Sequence, residues 1–289
     1  MASIIFFKFL GRSPKSQATG RIILQQKLKN SSIMNENLIS VLERADNEDL
    51  KTLCDIITLG KNGTPRISDN LTKTSLYKHN YPNNMPTLVP GMVRELSLYG
   101  GNSVVNYFKG EGVDYSAILR KVAKRLKVNF RKTQPDEVIE GYMLQKLFDD
   151  MSENLSDEEL RSMASEFGVK PLRYSRQALV AALQMSIRRG GIYGLAWSMN
   201  LANIVAKQAV GRGVAILASD TVLSRTLSIL GGPIGWALTA AWTAYDIAGP
   251  AYRVIVPAVI YIAYLRRKNQ QLALPIYCEV DEDEEAFDD

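Results

Sequence analysis

Apolar residues recur along this chain with the spacing of helices, not of strands. Leu50, Leu53, Cys54 and Ile57 fall at i, i+3, i+4 and i+7, which puts them on one helical face. Asp46 stands where a cap for that helix belongs. Leu88, Met92, Leu96 and Tyr99 form a second stripe that stops at Gly100-Gly101. Asp114 starts a third helix, facing inward through Ile118, Leu119, Val122 and Leu126. Pro135 suits the first turn of a fourth, whose apolar side is Val138, Ile139, Leu144, Leu147, Phe148 and Met151. Ser156 and Glu159 have capping-box spacing for a short helix that Gly168 ends. No run of alternating β-branched residues stands out, so the pattern predicts an all-α fold.

The same reading divides the chain. Residues 1–33 read as a poorly ordered extension. Their opening, MASIIFFKFLGR, has no basic region before the apolar stretch and no small-residue cleavage site after it, and so does not read as a secretory signal. Residues 34–87 are expected to form a small amino-terminal helical module. Its second half, 60–87, is rich in Gly, Pro, Asn, Ser and Thr and reads as a long connection with about one helical turn. A central helical region, 88–189, follows. An apolar block punctuated by Gly232-Pro233 and Gly249-Pro250 covers 190–268, and an acidic tail expected to be disordered closes the chain at 269–289.

The apolar block invites two opposite readings. Between Gly190 and Leu265 the only charges are Lys207, Arg212, Asp220, Arg225, Asp246 and Arg253. Asp220, Arg225, Asp246 and Arg253 are expected to form buried ion pairs, because scarce charges of balanced sign are most cheaply accommodated together. The uncharged stretch Thr226 to Tyr245 has the length of a membrane span, but Gly231-Gly232-Pro233 breaks it. Trp236, Trp242, Tyr245, Ile247, Val254 and Ile260 are the candidate insertion or packing residues. Val254 to Leu265 is apolar on all sides, as a helix central to a core or inside a membrane would be. Arg266-Arg267-Lys268 directly afterwards would suit a cytoplasmic membrane face.

Charge adds a second feature. The formal net charge of +5 conceals eight acids in residues 279–289; without them the body carries 35 bases against 22 acids. Seven bases concentrate within 120–132: Arg120, Lys121, Lys124, Arg125, Lys127, Arg131 and Lys132. They read either as a surface for anionic lipid or nucleic acid or as an ordinary solvated helix face. Nucleic acid is the weaker match, since only Tyr115 and Phe130 interleave aromatic rings for base stacking. Catalytic patterns are missing. The single histidine, His79, lies in a Pro/Asn-rich stretch, and there is no GxSxG, P-loop, HExxH or CxxC. The two cysteines, Cys54 and Cys278, have no metal-site or disulfide-framework spacing. No cofactor and no small-molecule substrate is implied.

The stretches LYGGNSVVNYFKGEGVDYSAILRKVAKRLKVNF (98–130) and GGPIGWALTAAWTAYDIAGPAYRVIVPAVIYIAYLR (231–266) resemble the YaaW-like family of uncharacterised bacterial proteins. The stretch from Met34 through Ile67 is similar to the small amino-terminal domain that often opens those proteins, so the likeness spans roughly 34–268. It brings no activity, cofactor or catalytic residue. The expectation is a non-enzymatic helical protein at the inner face of the cytoplasmic membrane, with anionic lipids as partners. The competing expectation is a soluble adaptor or assembly factor, its basic face on an acidic partner or nucleic acid and a protein partner covering the apolar block.

Overall fold

The computed structural model of the protein describes residues 35–101, 112–166, 169, 175–211 and 251–272. Within them the chain forms ten α-helices and no named strand. The first four are α1 (Glu36–Leu42), α2 (Asn47–Thr58), α3 (Ser75–Asn80) and α4 (Val89–Gly100). Next come α5 (Tyr115–Arg125), α6 (Asp136–Ser152) and α7 (Asp157–Glu166). The last are α8 (Arg176–Arg189), α9 (Gly191–Val210) and α10 (Tyr252–Leu272).

Local chemistry sets many of the boundaries. Asp46 caps α2, its Oδ1 accepting from the Asp49 N–H at 2.8 Å, which satisfies one of the orphan donors of the first turn. At α7 the Glu159 carboxylate accepts from the Ser156 N–H while Ser156 Oγ accepts from the Glu159 N–H. That is the reciprocal capping box the spacing predicts. Ser175 caps α8 in the same manner. Pro135 sits one residue before the first helical position of α6, at the N-cap.

The stretch from 60 to 87 holds more structure than its composition predicts. It contains two 3₁₀ turns, Leu71–Lys73 and Met85–Leu88, and the helix α3, whose N-cap Thr74 accepts from the Tyr77 N–H. Asn47 pins this segment to α2: its side chain donates to the Pro82 carbonyl and accepts from the Met85 N–H, each at 2.9 Å. Such contacts cross long sequence distances and leave no local pattern. His79 lies exposed on α3, its Nδ1 against the Ser75 carbonyl, and not in an open loop.

The centre of the molecule is α10. It packs against α1, α2, α4, α5, α6 and, most extensively, α9. Every residue from Val254 to Leu265 is buried, Val254 and Ile260 included. A helix surrounded by partners has no solvent side, and this accounts for the missing polar stripe. Each fully buried Val, Leu or Ile side chain contributes about 1.5–3 kcal/mol, so α10 is a principal source of stability. Trp197 of α9 is fully buried, donates from Nε1 to the Leu144 carbonyl at 3.1 Å, and meets Phe148 edge to face at 5.4 Å. Buried apolar residues from each of the segments 34–87, 88–189 and 190–268 join in one hydrophobic cluster. Among the described residues no helix is long and apolar enough to cross a membrane.

Candidate functional site

The seven bases at 120–132 divide into two groups. Two serve the fold. Arg120 is half-buried and reaches Asp136 at 2.8 Å and the Gln134 carbonyl at 2.9 Å, tying α5 to the start of α6. Lys121 donates to the Gly100 carbonyl at 3.2 Å and lies 5.4 Å from the centre of the Tyr252 ring. They are therefore not part of a free basic face, a correction to the sequence reading. The reason is that packing brings Asp136 at the start of α6 and the Gly100 carbonyl at the end of α4 within their reach.

The other five, Lys124, Arg125, Lys127, Arg131 and Lys132, are exposed. Only the first two are helical. Arg125 lies over Tyr252, 5.9 Å from its ring centre, a cation–π contact that holds one end of the group. Lys127 closes the helix. Its N–H donates to the Lys124 carbonyl and the Val128 N–H donates to Ala123, the pairing of a Schellman cap. Lys127 adopts φ 57° to do so, in the left-handed region where glycine is the usual residue. Arg131 and Lys132 sit on the following loop, fixed where Gln134 Oε1 accepts from the Arg131 N–H at 2.8 Å. Among the described residues no carboxylate forms an ion pair with Lys124, Lys127, Arg131 or Lys132.

Arg266, Arg267 and Lys268, which in sequence resemble a membrane-flanking cluster, turn inward and latch α10 to three other helices. Arg266 Nε lies 2.7 Å from Glu140 Oε2 of α6. Glu140 also accepts from the Tyr115 hydroxyl at 2.7 Å. Burial raises the Glu140 pKa even though Arg266 and Tyr115 act against that rise. Arg267 donates to the Ile187 carbonyl of α8 at 2.9 Å, and burial lowers its pKa. Lys268 meets both Asp46 and Asp49, each at 2.7 Å. Burial opposes the Lys268 charge, but the two carboxylates outweigh it and hold its pKa above the ordinary value.

Of the expected buried ion pairs, Asp220, Arg225 and Asp246 lie outside the described residues. Arg253 is exposed on the first turn of α10 and is not a buried charge; the apolar face of that turn begins one residue later, at Val254. Trp236, Trp242, Tyr245 and Ile247 also lie outside the described residues, as do Cys278 and residues 273–289 of the acidic tail. Residues 269–272, placed in that tail by the sequence reading, continue α10 instead, and Asn269 is buried with its side-chain amide donating to the Val41 carbonyl at 2.9 Å. Among the described residues no group of three or more His, Cys, Asp or Glu side chains could hold a metal ion.

A cleft of about 530 Å³ opens beside the latch, between α6, the α8–α9 junction and the carboxy-terminal part of α10. Arg188, Arg189, Arg266 and Arg267 all line it. No periodicity or motif marks these residues, which lie on two helices far apart in the sequence. The only sequence signals are the doublets Arg188-Arg189 and Arg266-Arg267.

No family model matches the chain, and no solved structure matches it. Similarity to curated proteins is extensive. A UPF0174 protein of Helicobacter pylori strain J99 is 41% identical over 234 residues, covering 81% of this chain and 92% of the relative. A UPF0174 protein of Helicobacter pylori strain 26695 is 35% identical over 206 residues, covering 70% and 98%. The UPF0174 protein YaaW of Escherichia coli strain K12 is 27% identical over 240 residues, covering 82% and 97%. With an all-α fold and relatives matched over nearly their full lengths, the chain belongs to the UPF0174 protein family.

Proposed function

We propose that the protein is a non-enzymatic helical module that docks by electrostatics on the anionic inner face of the cytoplasmic membrane. The docking surface is the end of α5 and its following loop, presenting Lys124, Arg125, Lys127, Arg131 and Lys132. The observation that carries this reading is the conformation of Lys127. A side chain at φ 57° costs about 1–2 kcal/mol relative to glycine, and strain of this kind concentrates where a side chain is needed. Here it keeps an exposed cation inside a group of five. Bases near an anionic bilayer contribute about 1 kcal/mol each, an attraction that salt screens. The described apolar helices act as core in this reading, and attachment needs no insertion.

The test is flotation of the purified protein with vesicles, either phosphatidylglycerol-rich or purely phosphatidylcholine. Binding to the anionic vesicles at low salt, release at high salt and no binding to the neutral ones is the expected result. The variant Lys124→Glu with Lys127→Glu and Arg131→Glu should fold and stay unbound. Equal binding to both vesicle types, or binding by the charge-reversed variant, would overturn the proposal.

A further inference from the structure

We propose that the arginine-lined cleft beside α10 is a binding site for a soluble, phosphate-bearing small molecule. Its volume of about 530 Å³ falls in the range of ligand pockets. The four arginines that line it are not equivalent. Arg266 is neutralised by Glu140, so its charge is already used. Arg267 is half-buried, and its hydrogen bond goes to a neutral carbonyl, that of Ile187. Among the described residues it has no carboxylate within ion-pair distance. A desolvated guanidinium without a counter-ion is costly, and an anion in the cleft would remove that cost. Arg188 and Arg189 end α8 at the same cleft, exposed and likewise without an ion pair among the described residues. Among the described residues Glu137 is the one lining acid not already engaged by Arg266, and it is exposed, so the described lining carries a net positive charge.

Two further features suit an oxyanion. Gly190 and Gly191 line the cleft with φ of 79° and 60°, and a Cβ on either would meet nothing within 4 Å. Backbone is thus open to a ligand beside Arg188 and Arg189. Gly194 has the opposite surroundings: a Cβ there would lie 2.6 Å from Arg267 Nη1, so its bareness lets the guanidinium lie against α9. Arginine is the residue whose planar fork matches phosphate oxygens in pairs. Among the described residues the lining contains one aromatic, Tyr142, whose hydroxyl accepts from Gln134 Nε2 at 3.3 Å. A stack of exposed bases would find little there, and a compact phosphorylated molecule fits better.

Calorimetric titration with pyrophosphate, on the full chain at low ionic strength, tests the site. Saturable one-to-one binding is expected. Arg188→Ala with Arg189→Ala alters only exposed side chains and should weaken it roughly tenfold or more, the loss expected for charge-assisted hydrogen bonds. Lys124→Glu with Lys127→Glu, away from the cleft, should leave it unchanged. Lipid phosphate is distinguished by flotation, where the double-alanine variant should bind anionic vesicles as the parent does. No saturable binding, undiminished affinity in the double-alanine variant, or loss of vesicle binding in that variant with pyrophosphate affinity intact would each overturn the proposal.

Discussion

Arg266 and Glu140 stand 126 positions apart in the chain, yet Arg266 Nε and Glu140 Oε2 meet at 2.7 Å, with the Tyr115 hydroxyl on the same carboxylate. The contact joins α5, α6 and α10 at one buried point. A buried ion pair adds little net stability over an apolar isostere, but removing one partner leaves the other uncompensated. Glu140→Ala should therefore destabilise the fold by about 3–5 kcal/mol, measured by urea unfolding. Glu140→Gln, which keeps an acceptor for Tyr115, should cost less. Equal and small losses for both would mean that Arg266 finds water instead.

Lys127 yields a prediction in which stability and binding move in opposite directions. Lys127→Gly removes the left-handed strain and should raise stability by about 1 kcal/mol, while weakening retention on anionic vesicles. A glycine variant that is less stable than the parent would show that the Lys127 side chain does structural work.

Much of the fold is legible in the sequence because it is local. Asp46, Ser156 with Glu159, and the stripes of α2, α4 and α5 each act within a turn or two of helix, and all appear where the spacing predicts. What was not legible depends on distance. A basic triplet after an apolar helix looks the same whether it faces lipid headgroups or reaches inward to Glu140, Ile187 and Asp49. Only the positions of α2, α6 and α8 decide it. The all-round apolarity of Val254 to Leu265 was equally double-edged, since a central helix and a membrane helix share that pattern. The cleft has no sequence signature, because its arginines come from two helices that tertiary packing brings together. The division of 120–132 into structural and exposed bases was hidden for the same reason: Asp136 and Gly100 had first to be placed.

Glu95 supplies a pH dependence. It is buried on α4, accepts from the Asn70 N–H at 3.2 Å, and burial pushes its pKa up to about 7. Between about 4.5 and about 7 the folded protein thus retains a proton that the unfolded chain has lost. The Glu95 contribution is fully present below that window and declines as pH rises through it, by at most about 1.4 kcal/mol per pH unit. Glu95→Gln should flatten this part of the stability profile, as read from urea midpoints across pH. An unchanged slope would assign it to another group.

In the proposed mode of attachment α10 stays in the core and the membrane is held by electrostatics alone. Hydrogen exchange at the backbone amides of residues 254–265, Pro257 excepted, is measured with and without phosphatidylglycerol-rich vesicles. Slow exchange is expected in buffer, at rates set by global unfolding, with the same rates when the protein is bound to vesicles at low salt. Rapid exchange in buffer that becomes slow only on lipid would contradict it, by showing that the helix acquires its burial from the membrane.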